Sequence, residues 1–258
     1  MRVVTWNVNS IRSRTRRLVG WVERNSPDVL LLQETKTADD SLVIGPLADL
    51  GFEVAHHGVN HWNGVAIASR VGLADVQRGF PGLNRPPFDE ARVISATCAG
   101  IRFHSVYAPN GRTLDDPHYL FKLVWLERLR SVVNPGVATF LAGDLNVAPS
   151  DADIYDPKRW RNKTHASPPE RQAIGALVDM GLRDVTIEWL GNDGVFTWWS
   201  YRPGQFEQNR GLRIDLALLD RSLAERVQRV EVDTHERGTL ELFGEKPSDH
   251  SPLIVDLF

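Results

Sequence analysis

The sequence lacks the features that would mark a secreted or membrane protein. Cys98 is the only cysteine among the 258 residues, so the chain cannot form an internal disulfide, which is typical of proteins from reducing compartments. Its apolar runs are no longer than a β-strand, whereas a membrane-spanning helix needs about 20 apolar residues. Residues 2–6 are too short for the apolar region of a signal peptide and lead into polar Asn7. These absences predict a cytoplasmic protein that does not contact membranes.

The sequence also has few methionines, no large excess of one charge and no linker-like segment. Two Met stand against eight Trp and ten Phe, so aromatic and branched side chains are expected to fill the core. The formal net charge of −3 does not by itself predict a nucleic-acid-binding protein, although basic residues cluster at positions 12–17 and 158–163. No proline-rich or serine-rich linker divides the chain. We therefore predict a single domain over residues 1–258.

One apolar run ends abruptly in polar side chains. Residues 137–142 are all apolar or β-branched and predict a buried strand. Gly143 then permits a close approach of the backbone to a neighbour, and Asp144 and Asn146 point to the same side of an extended chain because they are two residues apart. A reactive carboxylate and amide could be presented in this way. A strand that ends in an ordinary Asn/Asp turn would have the same sequence pattern. Other segments of the chain must therefore distinguish a reactive site from a turn.

The same pattern recurs elsewhere in the chain. Apolar strands repeatedly end in, or begin after, side chains that bind metals or transfer protons. These side chains are Asn7 at the end of residues 2–8, Glu34 after residues 28–32, and Asp249 with His250 before residues 251–258. The repetition indicates that these side chains meet at one edge of the fold.

Asp215 is the exception, because it lies inside the predicted strand 211–219. An ionised carboxylate within an apolar strand is costly unless a cation or an imidazole pairs with it. The segment before the last strand offers such a group in His250. We therefore expect Asp215 and His250 to lie in contact.

The remaining periodicity predicts an α/β fold. Short apolar runs predict strands at 52–56, 64–69, 91–97, 101–107 and 196–201, the last paired with 211–219, and apolar spacing predicts helices at 10–24, 117–132 and 168–180. Ser10 is the expected cap of the first helix. Several short antiparallel strands mixed with amphipathic helices favour two packed sheets with helices outside them.

If the strand ends converge, the site contains several oxygen donors, one imidazole and no cysteine. Such donors suit Mg²⁺, with Mn²⁺ as a substitute, because these ions keep several waters and take further ligands from substrate phosphate. Zinc is disfavoured, since His56 and His57 are too close together and His61 is isolated. The sequence therefore predicts a hard divalent cation.

Six short motifs carry these residues. They are Trp6-Asn7-Val8-Asn9-Ser10, Leu32-Gln33-Glu34-Thr35-Lys36, Tyr107-Ala108-Pro109-Asn110, Gly143-Asp144-Leu145-Asn146, Leu212-Arg213-Ile214-Asp215 and Ser248-Asp249-His250. In this order they resemble the exonuclease III family of apurinic/apyrimidinic (AP) endonucleases, within the endonuclease/exonuclease/phosphatase superfamily. The resemblance extends over residues 3–255. It implies a four-layer α/β sandwich of the deoxyribonuclease I type, with two packed mixed sheets flanked by helices.

The resemblance implies hydrolysis of a DNA phosphodiester and agrees with roles that the side-chain chemistry suggests. Asp144 is the candidate base that aligns or deprotonates the attacking water, and Asn146 would hold that water or a phosphate oxygen. His250 would stabilise charge on the phosphate oxygens, with Asp215 setting its tautomer and helping to keep it charged. Tyr107 resembles the family's tyrosine that contacts the phosphate or the leaving oxygen.

The metal ligands are expected among the remaining strand-end residues. Glu34 is the main candidate, with Asn7 beside it, and the alternative for Glu34 is a helix-capping acid. Asp249 would bind a second metal or its water shell.

Five residues are candidates for DNA binding. Trp198 and Leu212 match positions that, in related endonucleases, wall the pocket for a flipped-out abasic sugar, with ordinary core packing as the alternative. Arg112 and Arg202 match loops that the family inserts into DNA grooves. Asn110 stands where some relatives have Gln, which keeps an amide donor for phosphate.

The resemblance implies Mg²⁺-dependent incision of duplex DNA 5′ to abasic sites in base excision repair, with 3′–5′ exonuclease and 3′-end-trimming activity. The expected partner is double-stranded DNA with abasic sites or 3′ ends, bound by a monomer. One alternative is a general phosphodiesterase acting on undamaged DNA, inositol phosphates or phospholipid headgroups; against it, Tyr107 stands where deoxyribonuclease I-like members have a histidine. A second is a non-catalytic DNA-binding module, against which the intact set of acidic, amide and imidazole residues argues.

Overall fold

A computed structural model of the protein describes residues 1–42, 45–83, 88–134, 136–191, 194–238 and 244–258. Within these ranges the strands are β1 (Arg2–Asn7), β2 (Val29–Gln33), β3 (Glu53–His57), β4 (Val65–Ser69), β5 (Ala74–Arg78), β6 (Val93–Cys98), β7 (Ile101–Tyr107), β8 (Thr139–Asp144), β9 (Leu182–Asp184), β10 (Asp215–Asp220), β11 (Val227–Val232) and β12 (Leu253–Leu257). The α-helices are α1 (Thr15–Asn25), α2 (Gly45–Ala48), α3 (Pro117–Leu129), α4 (Pro157–Trp160), α5 (Pro168–Asp179), α6 (Val185–Leu190), α7 (Arg221–Ala224) and α8 (Thr234–Gly238).

The strands form two six-stranded sheets. Sheet A has the order β11-β12-β1-β2-β4-β3, and sheet B has the order β5-β6-β7-β8-β10-β9. Each sheet contains one parallel pair, β1 with β2 and β7 with β8, while the other neighbours run antiparallel. Both sheets are therefore mixed.

The two sheets pack face to face around an apolar core. Leu31 and Ile67 of sheet A lie in this core with Phe103 and Phe140 of sheet B, and all four are essentially unexposed. Burying a side chain of this size contributes about 1.5–3 kcal/mol relative to leaving it in water. Cys98 is buried in the same core, where burial raises the pKa of its thiol, so it packs as a small hydrophobic side chain.

Helices cover the outer face of each sheet. The apolar side of α1, including Trp21, packs on Trp6 and its neighbours in sheet A. On sheet B, α3 and α5 cover the outer face through Trp125 and Leu177. The layers follow one another as helix, sheet, sheet and helix, which confirms the predicted α/β sandwich. None of the described helices is long and apolar enough to cross a bilayer.

The predicted start of the first helix is wrong. The helix begins at Thr15, and Ser10 does not cap it. Asn9 and Ser10 have backbone φ angles of +45° and +87°, a left-handed conformation that cannot begin a right-handed helix. The segment before Thr15 is therefore a loop.

The predicted strand at 196–201 is also wrong. Trp198 makes only isolated bridges, to Leu212 and to His250. The Thr197 hydroxyl oxygen accepts the N–H groups of Ile214 and Asp215 at 3.1 Å each, so a side chain takes the place of a neighbouring strand. For this reason β10 begins at Asp215 and not at residue 211, and Asp215 lies at a strand end rather than inside a strand.

Candidate active site

Strand ends from both sheets meet at one rim. Asn7 is the last residue of β1 and Asp144 the last of β8, while Glu34 directly follows β2. Asp215, the first residue of β10, pairs in register with Asp144. Because β10 runs antiparallel to β8, its first residue lies at the same edge as the last residue of β8. His250 reaches this edge from the segment before β12.

Gly143 sets the position of Asp144. Its φ is +152°, and a Cβ atom at this residue would lie 1.9 Å from the carbonyl oxygen of Val106 in β7. Only glycine fits so close to the neighbouring backbone. The close approach puts Asp144 in register with Tyr107 at the end of β7.

Asn7 links two carboxylates from different sheets. Its Nδ2 donates to Glu34 Oε1 and to Asp144 Oδ2, both at 2.9 Å. Its Oδ1 accepts the N–H of Asn9 at 3.0 Å, which sets the orientation of the amide. One possible ligand atom from each of Glu34, Asp144 and His250 lies within 4.8 Å of the others.

His250 is held as a charged imidazole. Its Nδ1 donates to Asp215 Oδ2 at 2.8 Å, and its Nε2 lies 3.7 Å from Asp144 Oδ2. Burial works to lower the pKa of His250, but the two carboxylates outweigh it and raise the pKa to about 10. Asp215 thus has the imidazole partner that its burial requires, and His250 directs Nε2–H towards Asp144.

Asp144 is poised to accept a proton near neutral pH. Burial raises the pKa of its carboxyl group to about 7, against the opposing effect of His250. Its Oδ1 accepts the N–H of Asn146 at 2.9 Å, which orients the carboxylate. A general base is most effective when its pKa lies near the working pH.

The amide of Asn146 lies beside this carboxylate. Its Nδ2 donates to the carbonyl oxygen of Ala108 at 3.0 Å, and its Oδ1 lies 3.0 Å from His165 Nε2. Asn110 Nδ2 lies 3.4 Å from the same Oδ1. The structure therefore brings two predicted residues, Asn146 and Asn110, together with His165, which was not predicted.

The comparisons with known proteins agree with this geometry. Residues 4–250 match the model of the Endonuclease/Exonuclease/phosphatase family. The chain belongs to this family. It is 33% identical to exodeoxyribonuclease III of Haemophilus influenzae over 273 residues, covering 98% of both chains. Its fold matches an AP endonuclease from Archaeoglobus fulgidus with a TM-score of 0.93 at 35% identity, over 100% of this chain and 99% of that one.

A structure of the 3′ phosphatase NExo from Neisseria, bound to product DNA hairpin, gives a TM-score of 0.93 at 37% identity, covering 100% of this chain and 99% of that one. The chain is therefore an enzyme of the exonuclease III and AP endonuclease branch of the family, and the predicted resemblance is confirmed. The coarse function that follows is that of a DNA repair nuclease.

This family of nucleases is metal-dependent, and the rim residues fit a hard cation. Glu34 and Asp144 supply carboxylate oxygens, the donors that small divalent cations prefer. His250 Nδ1 donates to Asp215, so the two carboxylates are the main candidate ligands. Lys36 Nζ lies 2.7 Å from Glu34 Oε2, so a cation at Glu34 would share this carboxylate with Lys36.

Asp249 is not among the residues whose ligand atoms lie within 4.8 Å of one another. Its carboxylate accepts hydrogen bonds from Asn9 Nδ2 at 2.9 Å and from Trp198 Nε1 at 3.0 Å. Burial favours the neutral form, but His250 and these donors lower the pKa of Asp249 below its usual value. Its binding of a second metal ion or of that ion's water shell stays a prediction.

Tyr107 keeps its proton. Burial, followed by the charge of Glu34, raises the pKa of its hydroxyl well above the usual value. The Arg92 guanidinium lies over its ring, 4.8 Å from the ring centre. A neutral phenol held in this way can donate a hydrogen bond to an anionic oxygen.

The predicted DNA-binding residues divide into two groups. Leu212 is fully buried and Trp198 partly buried in one apolar cluster with Ile154. Arg112 and Arg202 are exposed on loops outside the rim, and Arg112 lies 3.5 Å from Asp116. Contacts of these residues with DNA stay predictions.

Lys36, Arg92 and His165 are among the residues that contact the predicted ones but were missed by sequence reasoning. Lys36 belongs to the motif that contains Glu34, so its place two residues after Glu34 could have identified it as a site residue. Arg92 lies within the predicted strand 91–97, where nothing marks it as a site residue, and His165 lies in an irregular segment with no periodic pattern. Only the folded chain brings them to Tyr107 and Asn146.

Proposed function

We propose that this nuclease is a Mg²⁺-dependent phosphodiester hydrolase, with Mn²⁺ as a substitute, that incises duplex DNA 5′ to abasic sites and also removes nucleotides and blocking groups from 3′ ends. The observation that carries this proposal is the meeting of Glu34, Asp144 and His250 within 4.8 Å of one another. The similarity to exodeoxyribonuclease III and to an AP endonuclease supports both activities. The proposal includes one catalytic domain over residues 1–258 that acts as a monomer.

Glu34, with Asn7 beside it, would hold the metal ion. When bound, the ion supplies charge neutralisation at the substrate phosphate and polarises a phosphoryl oxygen. Glu34 adopts a left-handed backbone conformation with φ of +52°, which is strained for a residue other than glycine. Such strain at a functional position supports a need for this carboxylate at the rim. Asp249 is proposed to bind a second metal ion or its water shell.

Asp144 is the proposed general base. It would accept the proton of a water positioned in line with the scissile phosphorus–oxygen bond, so that the water oxygen attacks as the leaving oxygen departs. Asn146 has one Nδ2 hydrogen that is not used by Ala108, and this hydrogen can orient that water or a phosphate oxygen. Positioning of this kind supplies a large part of the rate in phosphoryl transfer.

His250 is the proposed source of positive charge at the phosphate. Its Nδ1 is used by Asp215, so only Nε2–H remains to donate to a phosphate oxygen as negative charge develops there. The neutral hydroxyl of Tyr107 would donate to the phosphate or to the leaving oxygen. A preorganised donor costs no reorganisation in the transition state, which is why it accelerates the reaction.

Substrate selection would come from residues around the rim. Trp198 lies against Asp249 and would form part of the wall that accepts an abasic sugar, together with Leu212. Asn110 would contact phosphate, and the exposed Arg112 and Arg202 would contact the duplex.

The test is incision of a duplex with a single tetrahydrofuran residue beside an undamaged duplex, with Mg²⁺ and after chelation by EDTA. We expect metal-dependent cleavage of the damaged strand. Equal rates on the two duplexes would favour a general phosphodiesterase, and a lack of metal-dependent turnover on both would favour a binding module. Asp144→Ala should abolish incision but keep duplex binding. Asp151→Ala is the control, because Asp151 is exposed and paired with Arg171. This control should incise the damaged duplex at the wild-type rate.

A further inference from the structure

His165 lies against the proposed reaction residues, yet it has no role in the proposal so far. It belongs to the segment between α4 and α5 and is only 8% exposed. Its Nε2 lies 3.0 Å from Asn146 Oδ1 and 3.2 Å from Asn110 Nδ2. We propose that His165 is a positioning residue that holds the side-chain amide of Asn146 in the orientation needed for incision. This inference rests on the function proposed for Asn146.

The orientation of Asn146 determines what His165 must supply. The carbonyl oxygen of Ala108, 3.0 Å from Asn146 Nδ2, can only accept a hydrogen bond. The amide nitrogen must therefore face Ala108, and the amide oxygen must face His165. An amide oxygen can only accept, so His165 Nε2 must carry the hydrogen.

The burial of His165 makes this assignment consistent. Burial, with a further contribution from Lys122, lowers the pKa of His165 to about 3, so the ring is neutral and carries one hydrogen. With that hydrogen on Nε2, Asn110 cannot donate to the same nitrogen, but its Nδ2 lies 3.4 Å from Asn146 Oδ1. Two donors then converge on the oxygen of Asn146. One hydrogen on its Nδ2 stays available to a substrate oxygen.

The protein holds His165 rigidly in this position. The backbone N–H of His165 donates to Glu170 Oε1 at 2.9 Å, and its carbonyl oxygen accepts the N–H of Ala148 at 2.7 Å. Glu170 is paired with the buried Lys122, whose Nζ also donates to the carbonyl oxygen of Asn146 at 2.7 Å. The same buried ion pair thus anchors both partners of the contact. A buried, hydrogen-bonded network of this kind restricts side-chain motion.

Three substitutions of His165 separate positioning from packing. His165→Gln puts an amide nitrogen near the place of Nε2, and His165→Asn puts one near Nδ1, which has no hydrogen-bond partner among the described residues. His165→Phe keeps a ring against Trp160, whose ring centre lies 5.7 Å away, and removes both nitrogens. The pair of amides differs only in reach.

We expect the single-turnover rate of incision to fall about 10- to 100-fold in the Phe and Asn variants, since small misplacements of a reacting group cost this much. In the Gln variant the rate should stay within about threefold of wild type. The Kd for the substrate duplex should change little, because Asn146 acts mainly in the transition state. Urea denaturation of each variant checks the fold. If His165→Phe does not fold, the comparison of Asn with Gln decides.

A double-mutant cycle tests whether His165 acts through Asn146. His165→Phe should change the rate of an Asn146→Ala enzyme by less than about twofold, since the group that it positions is gone. If His165→Phe slows both backgrounds equally, or slows neither while Asn146→Ala does, the proposal for His165 is overturned and the proposed function stands. If Asn146→Ala itself incises at the wild-type rate, the proposed role of Asn146 and the proposal for His165 both fail.

Discussion

Replacing Asp215 by asparagine tests whether the charge on His250 promotes the reaction. The carboxylates of Asp215 and Asp144 overcome the effect of burial and raise the pKa of His250 from 6.5 to about 10. One pKa unit corresponds to about 1.4 kcal/mol, so the protein favours the charged ring by about 5 kcal/mol. Asp215 makes the larger of the two contributions, through its charge and through a hydrogen bond of 2.8 Å. Asp215→Asn should therefore lower the pKa of His250 substantially.

The loss of rate should be large and should depend on pH. Loss of one charge-stabilising donor commonly lowers turnover about 100- to 1,000-fold. Wild-type His250 stays charged as long as the pH is below its pKa of about 10. In the variant the charge is lost as the pH rises through the lowered pKa. The deficit of Asp215→Asn relative to wild type should therefore be greater at alkaline than at mildly acidic pH.

The assay is single-turnover incision of a duplex with one tetrahydrofuran residue over a range of pH. Asp220→Asn is the matched control, because Asp220 lies at the other end of β10 and accepts the N–H of Ser222 at 2.8 Å instead of contacting the rim. Incision by Asp215→Asn at the wild-type rate would refute the role of the pair. A deficit that does not vary with pH would refute the argument from the charge of His250.

Gly143→Ala should destabilise the protein by about 3 kcal/mol in urea denaturation, because the new Cβ would overlap the Val106 carbonyl oxygen. Gly175→Ala is the control, because Gly175 lies in open space on α5, and it should stabilise the protein by about 0.5–1 kcal/mol. Burial lowers the pKa of His104 to about 3, so below pH 6.5 the unfolded chain binds a proton that the folded chain does not. Wild type should then lose about 2 kcal/mol more than His104→Asn between about pH 7.5 and pH 5, measured by the same denaturation; parallel losses would contradict this. The Kd of catalytically inactive Asp144→Ala for duplex DNA should rise at least about tenfold between about 50 and 200 mM salt, because phosphate contacts release counterions; a flat response in a binding titration would exclude such contacts.

Local sequence patterns predicted part of the rim. Asn7, Glu34 and Asp144 each stand where an apolar run stops, and the run alone identifies the strand and its end. Parallel strands of one sheet have their carboxyl ends at the same edge, so neighbouring runs of this kind bring their last residues together. The resemblance to exonuclease III extended this argument to both sheets.

Other features depend on contacts that are distant in sequence. The alignment of Asp144 with Tyr107 on one side and with Asp215 on the other follows from strand pairing, which no single run specifies. The segment around Thr197 has the residues of a strand, but its hydroxyl binds the neighbouring backbone and no ladder forms. β5 was missed because its side chains are largely exposed and give no apolar run. His165 is recognisable only when the loop that carries it lies against Asn146.

The site straddles the interface between the two sheets, so its geometry depends on how they are aligned. Asn7 and His250 belong to the strand ends of sheet A, and each bonds a carboxylate at the strand ends of sheet B. Close to this rim the sheets are also linked by Ser105, whose hydroxyl accepts from Gln33 Nε2 and donates to the carbonyl oxygen of Leu32, both at 3.0 Å. Removal of this link should let the sheets shift relative to one another. The rate of incision should then fall together with the free energy of unfolding.

Ser105→Ala is therefore expected to lower the free energy of unfolding by about 1–3 kcal/mol, the cost of a buried polar group left without its partner, and to slow incision by about tenfold through misalignment of the rim. Ser95→Ala is the matched control, since Ser95 loses a buried hydroxyl that contacts His104 at 2.7 Å within sheet B. Urea denaturation and single-turnover incision of both variants separate the two effects. Equal rates in the two variants at similar stability would mean that the alignment of the sheets does not control the reaction.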